Sequence, residues 1–384
     1  MEGVKPEKLI RLSKSCLSIS EKQAVMRVLD SEYLGMGAEV QKFENELSEF
    51  FGRPAVCVST GTAALHLALQ AAGIGSGDEV LVQSLTYVAS FQAISATGAR
   101  PVACDVDPKT LCLDWLDAEK RLTPKTKAVM PVHYSGGVGA LDEIYEFANR
   151  HGLRVIEDAA HAFGSTYQEK KVGSFGDVAC FSFDGIKNIT SGEGGCIVTD
   201  DKEIIRKVRD ARLLGVEKDT EQRFKGKRSW EFDVSTQGWR YHMSNIMAAI
   251  GIEQLKRFPE FAAKRQRLAK LYDKKLSVKF SGDIFQQDYN QVVPHIYVVR
   301  LSKHCERQKI VEMFDSHGIQ TGVHYQPNHK LSYYQPNNEA LLVSDQIYPF
   351  LLSLPLHFDL LDSDVHKICD LLMGYLDSQF LLKK

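Results

Sequence analysis

The 384-residue sequence lacks an excess of charge of either sign. It contains 47 Lys and Arg residues against 49 Asp and Glu residues, which excludes a strongly basic nucleic-acid-binding protein and an acidic disordered chain. It also lacks an apolar run near the roughly 18 residues of a transmembrane helix, and its first residues lack the apolar stretch of a signal peptide. We therefore expect a cytoplasmic protein that binds neither nucleic acid nor a membrane.

Close cysteine pairs are missing as well. The eight cysteines are scattered along the chain without a C-x-x-C motif, the spacing that zinc ribbons and redox dithiols use. We expect reduced, mostly buried thiols and no metal site. The sequence also contains neither G-x-x-x-x-G-K-[ST] nor G-x-S-x-G, so neither the phosphate loop nor the nucleophile elbow is supported.

Short apolar runs alternate with amphipathic segments as far as about residue 255. The runs Ala55–Val58, Glu79–Val82 and Pro101–Asp105 are predicted strands in this pattern. Alternating strands and helices predict βαβ units and a mostly parallel sheet that is covered on both faces. Phe175–Phe183 and Gly195–Thr199 change the rhythm and suggest a β-rich insert.

A change of pattern near residue 255 predicts a domain boundary. One helix is predicted over Met243–Leu255, and a separate charged helix from about Pro259 to Leu276. The segments that follow are shorter and of mixed type. We predict a large domain of residues 1–255 and a smaller mixed α+β domain of residues 256–384.

Small residues follow the first predicted strand in Ser59–Leu65 (STGTAAL). They would leave the first backbone N–H groups of the next helix open, and those groups, with the helix dipole, favour a phosphate. A plain helix N-cap by Ser59 or Thr60 explains the segment about as well.

Two carboxylates, those of Glu157 and Asp158, follow another predicted buried strand, at the edge where α/β sites form. A buried carboxylate needs a cation or several hydrogen-bond donors, and a protonated ring nitrogen of a cofactor would serve. The alternative is an acid that caps a helix.

A lone lysine, Lys187, lies between apolar strand residues and a glycine-rich turn in Phe181–Gly195 (FSFDGIKNITSGEGG). Removal from water lowers the pKa of a lysine and makes its amine a nucleophile. The three segments in this order predict a pyridoxal phosphate site. Lys187 would form the Schiff base, Asp158 would keep the pyridine nitrogen protonated, and the helix that starts at Thr62 would hold the phosphate.

The chain resembles the DegT/DnrJ/EryC1/StrS family of nucleotide-sugar aminotransferases from about Ile19 to its C-terminus. The segments TGTAALHLAL, IEDAAHAFGSTY, FSFDGIKNITSGEGG and YHMSNIMAAIG carry the resemblance. It implies an α/β fold of type I, like that of aspartate aminotransferase, with a large, mostly parallel seven-stranded sheet domain and a smaller mixed α+β C-terminal domain. It also implies a homodimer with shared active sites.

The resemblance assigns the residues around the cofactor ring. Lys187 matches the catalytic Schiff-base lysine, and Asp158 matches the acid that pairs with the pyridine nitrogen. His161 lies where the family has a residue near the phenolic oxygen of the cofactor. Tyr87 matches the aromatic residue that stacks on the ring.

The same resemblance assigns the cofactor phosphate. The backbone N–H groups of Thr62 and Ala63 and the hydroxyl of Ser182 match its ligands. Arg240 lies where many relatives have an Asn that reaches the phosphate of the neighbouring subunit. An arginine binds phosphate more strongly than an asparagine but has a different reach.

Substrate-binding residues are also implied. Asn188 follows the catalytic lysine, and VHYQPNH resembles the substrate segment HY-x-P-x-H of the family, which makes His324, Tyr325 and His329 candidate sugar contacts. The alternative for the three residues of this segment is that they are structural polar residues of a loop.

The activity implied is transfer of an amino group from glutamate to a nucleotide-linked keto-sugar. The loop KNITSGEGG resembles the KN-[IY]-T-x-GEGG version of C4-aminotransferases, with Thr190 and Glu193 at the pocket edge, and so predicts C4 amination of a dTDP-4-keto-6-deoxyhexose in deoxyamino sugar biosynthesis, as for a lipopolysaccharide O-antigen. A C3-aminotransferase acting on a dTDP-3-keto-6-deoxyhexose is the alternative. Dehydratase relatives replace the lysine with His, and a non-catalytic sugar-binding or regulatory relative should have lost Lys187 or Asp158.

Overall fold

The computed structural model describes residues 9–278, 280, 282–285, 287–335 and 340–381. Its strands are β1 (Ala55–Val58), β2 (Glu79–Gln83), β3 (Arg100–Cys104), β4 (Thr126–Met130), β5 (Arg154–Asp158), β6 (Thr166–Tyr167), β7 (Lys170–Lys171), β8 (Val178–Ser182), β9 (Gly195–Val198), β10 (Asp283–Ile284), β11 (Tyr297–Arg300) and β12 (Leu351–Leu354). The helices are α1 (Ile19–Asp30), α2 (Ala38–Phe51), α3 (Gly61–Ala71), α4 (Val88–Ala96), α5 (Trp115–Lys120), α6 (Leu141–His151), α7 (Lys202–Ala211), α8 (Asp219–Phe224), α9 (Asn245–Leu276), α10 (Arg307–Ser316), α11 (Leu342–Ile347) and α12 (Asp362–Leu381).

A seven-stranded sheet in the order β1-β9-β8-β5-β4-β2-β3 forms the centre of the larger part of the fold. The pairs from β8 to β3 are parallel, and β9 is antiparallel to both of its neighbours. The three predicted strands are confirmed as β1, β2 and β3. The predicted β-rich insert is wrong, because β8 and β9 belong to the central sheet itself.

Both faces of this sheet are covered by helices, as buried parallel strands require. Residues of α3, α4 and α7 pack with strand residues in one hydrophobic cluster. Residues of α2 and the first half of α9 form a second cluster with the alternate strand residues, which point to the other face of the sheet. Residues of α5 and α6 contribute to a further cluster. The carboxyl ends of the parallel strands are left open between these layers.

The smaller part of the fold contains the antiparallel sheet β10-β11-β12. Its strands pack against α10, α12 and the second half of α9, with Ile10 from the other end of the chain in the same cluster. The predicted boundary after residue 255 stays a prediction, and the first eight and last three residues of the two predicted domains lie outside the described residues.

One long helix replaces the two helices predicted around residue 255. α9 runs through 32 residues with Pro259 inside it. A proline removes one backbone hydrogen bond of a helix, and this commonly ends or kinks it. Here Ala248 and Ile252 pack in a cluster with residues of the seven-stranded sheet, and Leu268 and Tyr272 in a cluster with residues of the three-stranded sheet. Packing on both sides of Pro259 keeps the helix continuous.

All eight cysteines are free, and six of them are buried. Within the described ranges, no cluster of His, Cys, Asp and Glu side chains could hold a metal ion. In that same part of the chain, no helix combines the length and the apolar character needed to cross a bilayer.

Candidate active site

A cavity of about 490 Å³ opens at the carboxyl ends of β5 and β8. This is the edge at which α/β proteins place their ligands. Eight of the predicted site residues line it, from both parts of the fold: Thr62, Tyr87, Asp158, His161, Ser182, Lys187, His324 and Tyr325. Their chemical roles remain predictions, but the structure brings them together.

The first turn of α3 forms one end of the cavity. Thr60 is the N-cap, and its Oγ1 accepts a hydrogen bond from the N–H of Ala63 at 3.0 Å. The alternative of a plain N-cap is therefore correct for Thr60. The predicted phosphate contact of Ala63 is therefore already engaged. The N–H groups of Gly61 and Thr62 have no acceptor within the helix, since the first helical N–H groups never do.

A close approach between α3 and β8 makes this end narrow. A Cβ atom on Gly61 would lie 2.7 Å from Cβ of Ser182, so only glycine allows the helix start to approach the serine. Ser182 accepts a hydrogen bond from the N–H of Asp184 at 3.3 Å, and its own hydroxyl hydrogen can point into the cavity. Two free N–H groups and a hydroxyl fit a phosphate.

The carboxylate of Asp158 lies deeper in the cavity and is 5% exposed. One of its oxygens accepts from the hydroxyl of Ser90 at 2.7 Å, and the other accepts from the N–H of Ala160 at 3.2 Å. Both donors are neutral, so the carboxylate can still take a cationic partner, such as a protonated ring nitrogen. Ser90 was missed by the sequence analysis.

The side chain of Lys187 lines the same cavity. Burial lowers the pKa of Lys187 to about 8, against the opposing influence of Asp158 and Asp184. At neutral pH roughly a tenth of such an amine is unprotonated, compared with less than a thousandth for an ordinary lysine. The Nζ of Lys187 is within hydrogen-bonding distance of Nε2 of His295, at 3.4 Å.

A histidine and a tyrosine form the opposite wall. Nδ1 of His161 accepts from the N–H of Ser135 at 3.4 Å, so the hydrogen of the neutral ring is on Nε2, which donates to the hydroxyl of Tyr325 at 3.0 Å. Burial and the charge of Lys187 hold the pKa of His161 well below its usual value, so the ring is neutral. Tyr87 lies beside Tyr325 at the mouth and is 59% exposed.

His324 also reaches the cavity wall. Its Nδ1 is 2.7 Å from the hydroxyl of Ser353, and its carbonyl oxygen accepts from the hydroxyl of Tyr134. Burial lowers the pKa of His324 to about 4. A neutral imidazole in this position can donate to or accept from a sugar hydroxyl.

Two predicted substrate contacts are not brought to the cavity. The side-chain amide of Asn188 is buried and donates to the carbonyl oxygens of Phe163 and Val293. His329 is buried with its Nε2 at 3.1 Å from the carboxylate of Asp345, which is the structural alternative that the sequence left open. Both residues hold loops together around the site.

Thr190 and Arg240 also differ from expectation. The hydroxyl of Thr190 is buried and donates to the carbonyl oxygen of Phe183, so of the two loop residues only Glu193 reaches the pocket edge. Arg240 does not line the cavity of its own chain. It is exposed, near the strongly exposed Trp230 and Phe232 in the chain.

His295 is a second residue at this site, after Ser90, that the sequence analysis missed. It lines the cavity, although it is 108 residues from Lys187 in the chain. One signal was available: His295 is the one residue of the run VVPHIYVV whose side chain ionises near neutral pH. Such a residue needs a partner when the run is buried.

Comparisons with known proteins identify what this arrangement resembles. Residues 15–373 match the model of the DegT/DnrJ/EryC1/StrS aminotransferase family. The spore coat polysaccharide biosynthesis protein SpsC of Bacillus subtilis is 38% identical over 361 residues, which cover 91% of this chain and 92% of SpsC.

Two solved structures show the same architecture. The aminotransferase TlmJ from Streptoalloteichus hindustanus has a TM-score of 0.90 at 32% identity, covering 97% of this chain and 100% of its own. PseC of Helicobacter pylori, an aminotransferase involved in the biosynthesis of pseudoaminic acid, has a TM-score of 0.89 at 29% identity, with coverage of 97% and 100%. Together with the seven-stranded sheet, these matches confirm the predicted fold class.

Proposed function

Because this chain belongs to the DegT/DnrJ/EryC1/StrS aminotransferase family, we propose that it transfers an amino group from glutamate to a keto-sugar carried on a nucleotide. The cofactor of this family is pyridoxal phosphate, which supplies an electron sink when its ring nitrogen is protonated. One observation carries the proposal: the amine of Lys187, the carboxylate of Asp158 and the open first turn of α3 all face one cavity.

The position of each polar group in the cavity suggests its role toward the cofactor. The N–H groups of Gly61 and Thr62 and the hydroxyl of Ser182 would hold the cofactor phosphate. Asp158, oriented by Ser90, would keep the proton on the ring nitrogen. These contacts would hold the cofactor through its phosphate and its ring nitrogen, in a cavity that Lys187 also lines.

Lys187 would bind the cofactor through Nζ and, once released, move a proton at the substrate carbon. A group that transfers a proton in this way contributes roughly 10²–10⁴-fold to a rate. The lowered pKa of Lys187 suits this role, because the amine can both accept and release a proton near neutral pH. Tyr87 would stack on the cofactor ring, and His161 would lie near its phenolic oxygen.

The charge of the cavity supports a shared site. Among the described residues that line it, Lys187 is the single lysine or arginine, whereas Asp158, Asp184 and Glu193 are acidic. The cofactor phosphate, the nucleotide diphosphate and the donor carboxylates are all anionic and need additional cations. We propose that a second copy of the chain supplies one of them, through Arg240.

Replacing Arg240 with alanine should weaken cofactor binding by 10-fold or more, since a charged hydrogen bond is worth ~1.5–3 kcal/mol. Cofactor affinity is measured by equilibrium titration of the cofactor-free protein. An exposed arginine on α7 provides the matched control, Arg206→Ala, which should leave the affinity unchanged. Unchanged affinity in Arg240→Ala would make Arg240 an ordinary surface residue.

Mixed dimers separate a contact within one chain from a contact between chains. A dimer of one Lys187→Ala subunit and one Arg240→Ala subunit would contain one wild-type site if Arg240 acts on the partner's cofactor. Each parental homodimer should therefore be poor, and the mixture should recover part of the wild-type activity. If no activity is recovered on mixing, the shared-site proposal fails.

The sugar position proposed is C4 of a dTDP-4-keto-6-deoxyhexose. The support is the resemblance of the loop after Lys187 to C4-aminotransferases and the place of Glu193 at the pocket edge. Burial and nearby Asp184 raise the pKa of Glu193, and its carboxyl group can hydrogen-bond a sugar hydroxyl in either protonation state. The similarity to SpsC supports a role in making sugars for surface polysaccharides, while an O-antigen pathway and a cytoplasmic location stay predictions.

An assay with two substrates distinguishes C4 amination from C3 amination. Thymidine-diphosphate 4-keto-6-deoxyglucose and its 3-keto isomer are each incubated with glutamate, and the new amine is located by NMR. We expect efficient amination of the 4-keto sugar, by a factor of about 10 or more over its isomer, because a mismatched buried polar group costs ~1–3 kcal/mol. Amination of the 3-keto sugar alone would show that the C3 alternative is right.

A further inference from the structure

His295 is fixed beside the lysine by its own backbone. Its N–H donates to the carbonyl oxygen of Ser135 at 3.3 Å, and its carbonyl oxygen accepts from the guanidinium of Arg265 at 3.1 Å. The residue is 3% exposed, and its ring packs on that of His161, with the centroids 4.5 Å apart. Its Nε2 is thereby directed at Nζ of Lys187, 3.4 Å away.

The two ring nitrogens of His295 differ in their surroundings. Within the described part of the chain, Nδ1 of His295 is buried without a hydrogen-bond partner, and Nε2 contacts Lys187. An apolar side chain of similar size would avoid the cost of burying that nitrogen. The polar ring is therefore better explained by its contact with the lysine than by packing.

The protonation state decides which partner donates. Burial and the charges of Lys187 and Arg265 hold the pKa of His295 well below its usual value, so the ring is neutral. A protonated lysine can only donate, and a neutral imidazole has one acceptor nitrogen. With Lys187 as the ammonium, Nε2 must accept and the ring hydrogen must be on Nδ1.

We propose that His295 is a positioning residue that holds the free amine of Lys187 by accepting a hydrogen bond from it at Nε2. The proposal rests on the proposed role of Lys187 as the cofactor-binding lysine. It predicts a stabilised ammonium form, because a hydrogen bond to the charged form favours that form. Among the described residues, the other titratable or charged side chains around Lys187 or in the same cavity wall are Asp158, Asp184, Arg265, His161, His324, Tyr325, Glu193, Tyr87 and Cys180.

The test is the titration of Lys187 in the full chain after removal of the cofactor. Trace labelling with acetic anhydride across a pH series, followed by mass spectrometry of the Lys187 peptide, reports the pKa without any turnover. His295→Gln can place its amide oxygen near the position of Nε2, whereas His295→Asn is too short to do so. Labelling of the exposed Lys170 in the same samples is the internal reference.

We expect the pKa of Lys187 to fall by about 1 unit in His295→Asn and to stay within about 0.3 unit of the wild type in His295→Gln. His295→Phe keeps a ring of similar size without an acceptor, so it should lower the pKa of Lys187 as His295→Asn does. It replaces His295→Asn in the comparison if that variant does not fold. Equal pKa values in all folded variants, or equal shifts in the Gln and Asn variants, would overturn the proposal. Either result would leave the proposed aminotransferase function untouched, because that function is tested through Lys187 itself.

Discussion

Lys187→Ala should abolish transamination and leave the fold intact. The substitution removes the amine that would bind the cofactor and the group that would carry the proton, so the rate should fall by at least the roughly 10²–10⁴-fold of the proton transfer alone. Among the described residues the lysine side chain has one side-chain hydrogen bond, to His295, so its loss should cost little stability. The measurement is turnover with a nucleotide keto-sugar and glutamate.

A surface lysine provides the control for this variant. Lys170→Ala changes an exposed residue of β7 and should retain full turnover. Thermal unfolding of Lys187→Ala should stay close to that of the wild type, which separates loss of chemistry from loss of fold. Turnover near the wild-type rate in a purified, folded Lys187→Ala protein would contradict the catalytic assignment.

Asp158→Asn should reduce turnover by about 10- to 100-fold. Asparagine has nearly the same shape as aspartate but lacks the negative charge that would keep the ring nitrogen protonated. A hydrogen bond to a charged group is worth ~1.5–3 kcal/mol, and each 1.36 kcal/mol is tenfold in rate. The measurement is turnover at saturating cofactor, so that weaker binding is not mistaken for slower chemistry.

Ser90→Ala gives a graded comparison with Asp158→Asn. Ser90 donates to Asp158 at 2.7 Å and would only orient it, so its loss should cost less than the loss of the charge. The order of turnover should be wild type, then Ser90→Ala, then Asp158→Asn. If Asp158→Asn works within a few-fold of the wild type, Asp158 is a structural acid, the alternative that the sequence left open.

The residues nearest the strand ends were predictable from the sequence. Thr62, Asp158 and Lys187 each lie in a local strand–turn pattern, and parallel strands bring their carboxyl ends to one edge. Family resemblance added Tyr87 and Tyr325, which occupy the cavity as well. The local signals thus sufficed for the residues whose position depends on their own strand.

Other features depend on contacts between distant parts of the chain. His295 reaches Lys187 across 108 residues of sequence, and the side-chain amide of Asn188 is held by the carbonyl oxygen of Val293, 105 residues away. Pro259 normally ends a helix, yet packing of α9 on two hydrophobic clusters overrides that tendency. Such partners are fixed by tertiary packing, and no local pattern records them.

The most direct test of the central claim is to trap the bond between the cofactor and the protein. The purified protein with its cofactor is treated with borohydride, and the modified lysine is located by mass spectrometry, with and without prior addition of glutamate. We predict that the cofactor is fixed to Lys187 and that glutamate, added first, prevents this fixation because it releases the lysine. Fixation to a different lysine, or fixation to Lys187 that glutamate leaves unchanged, would contradict the account.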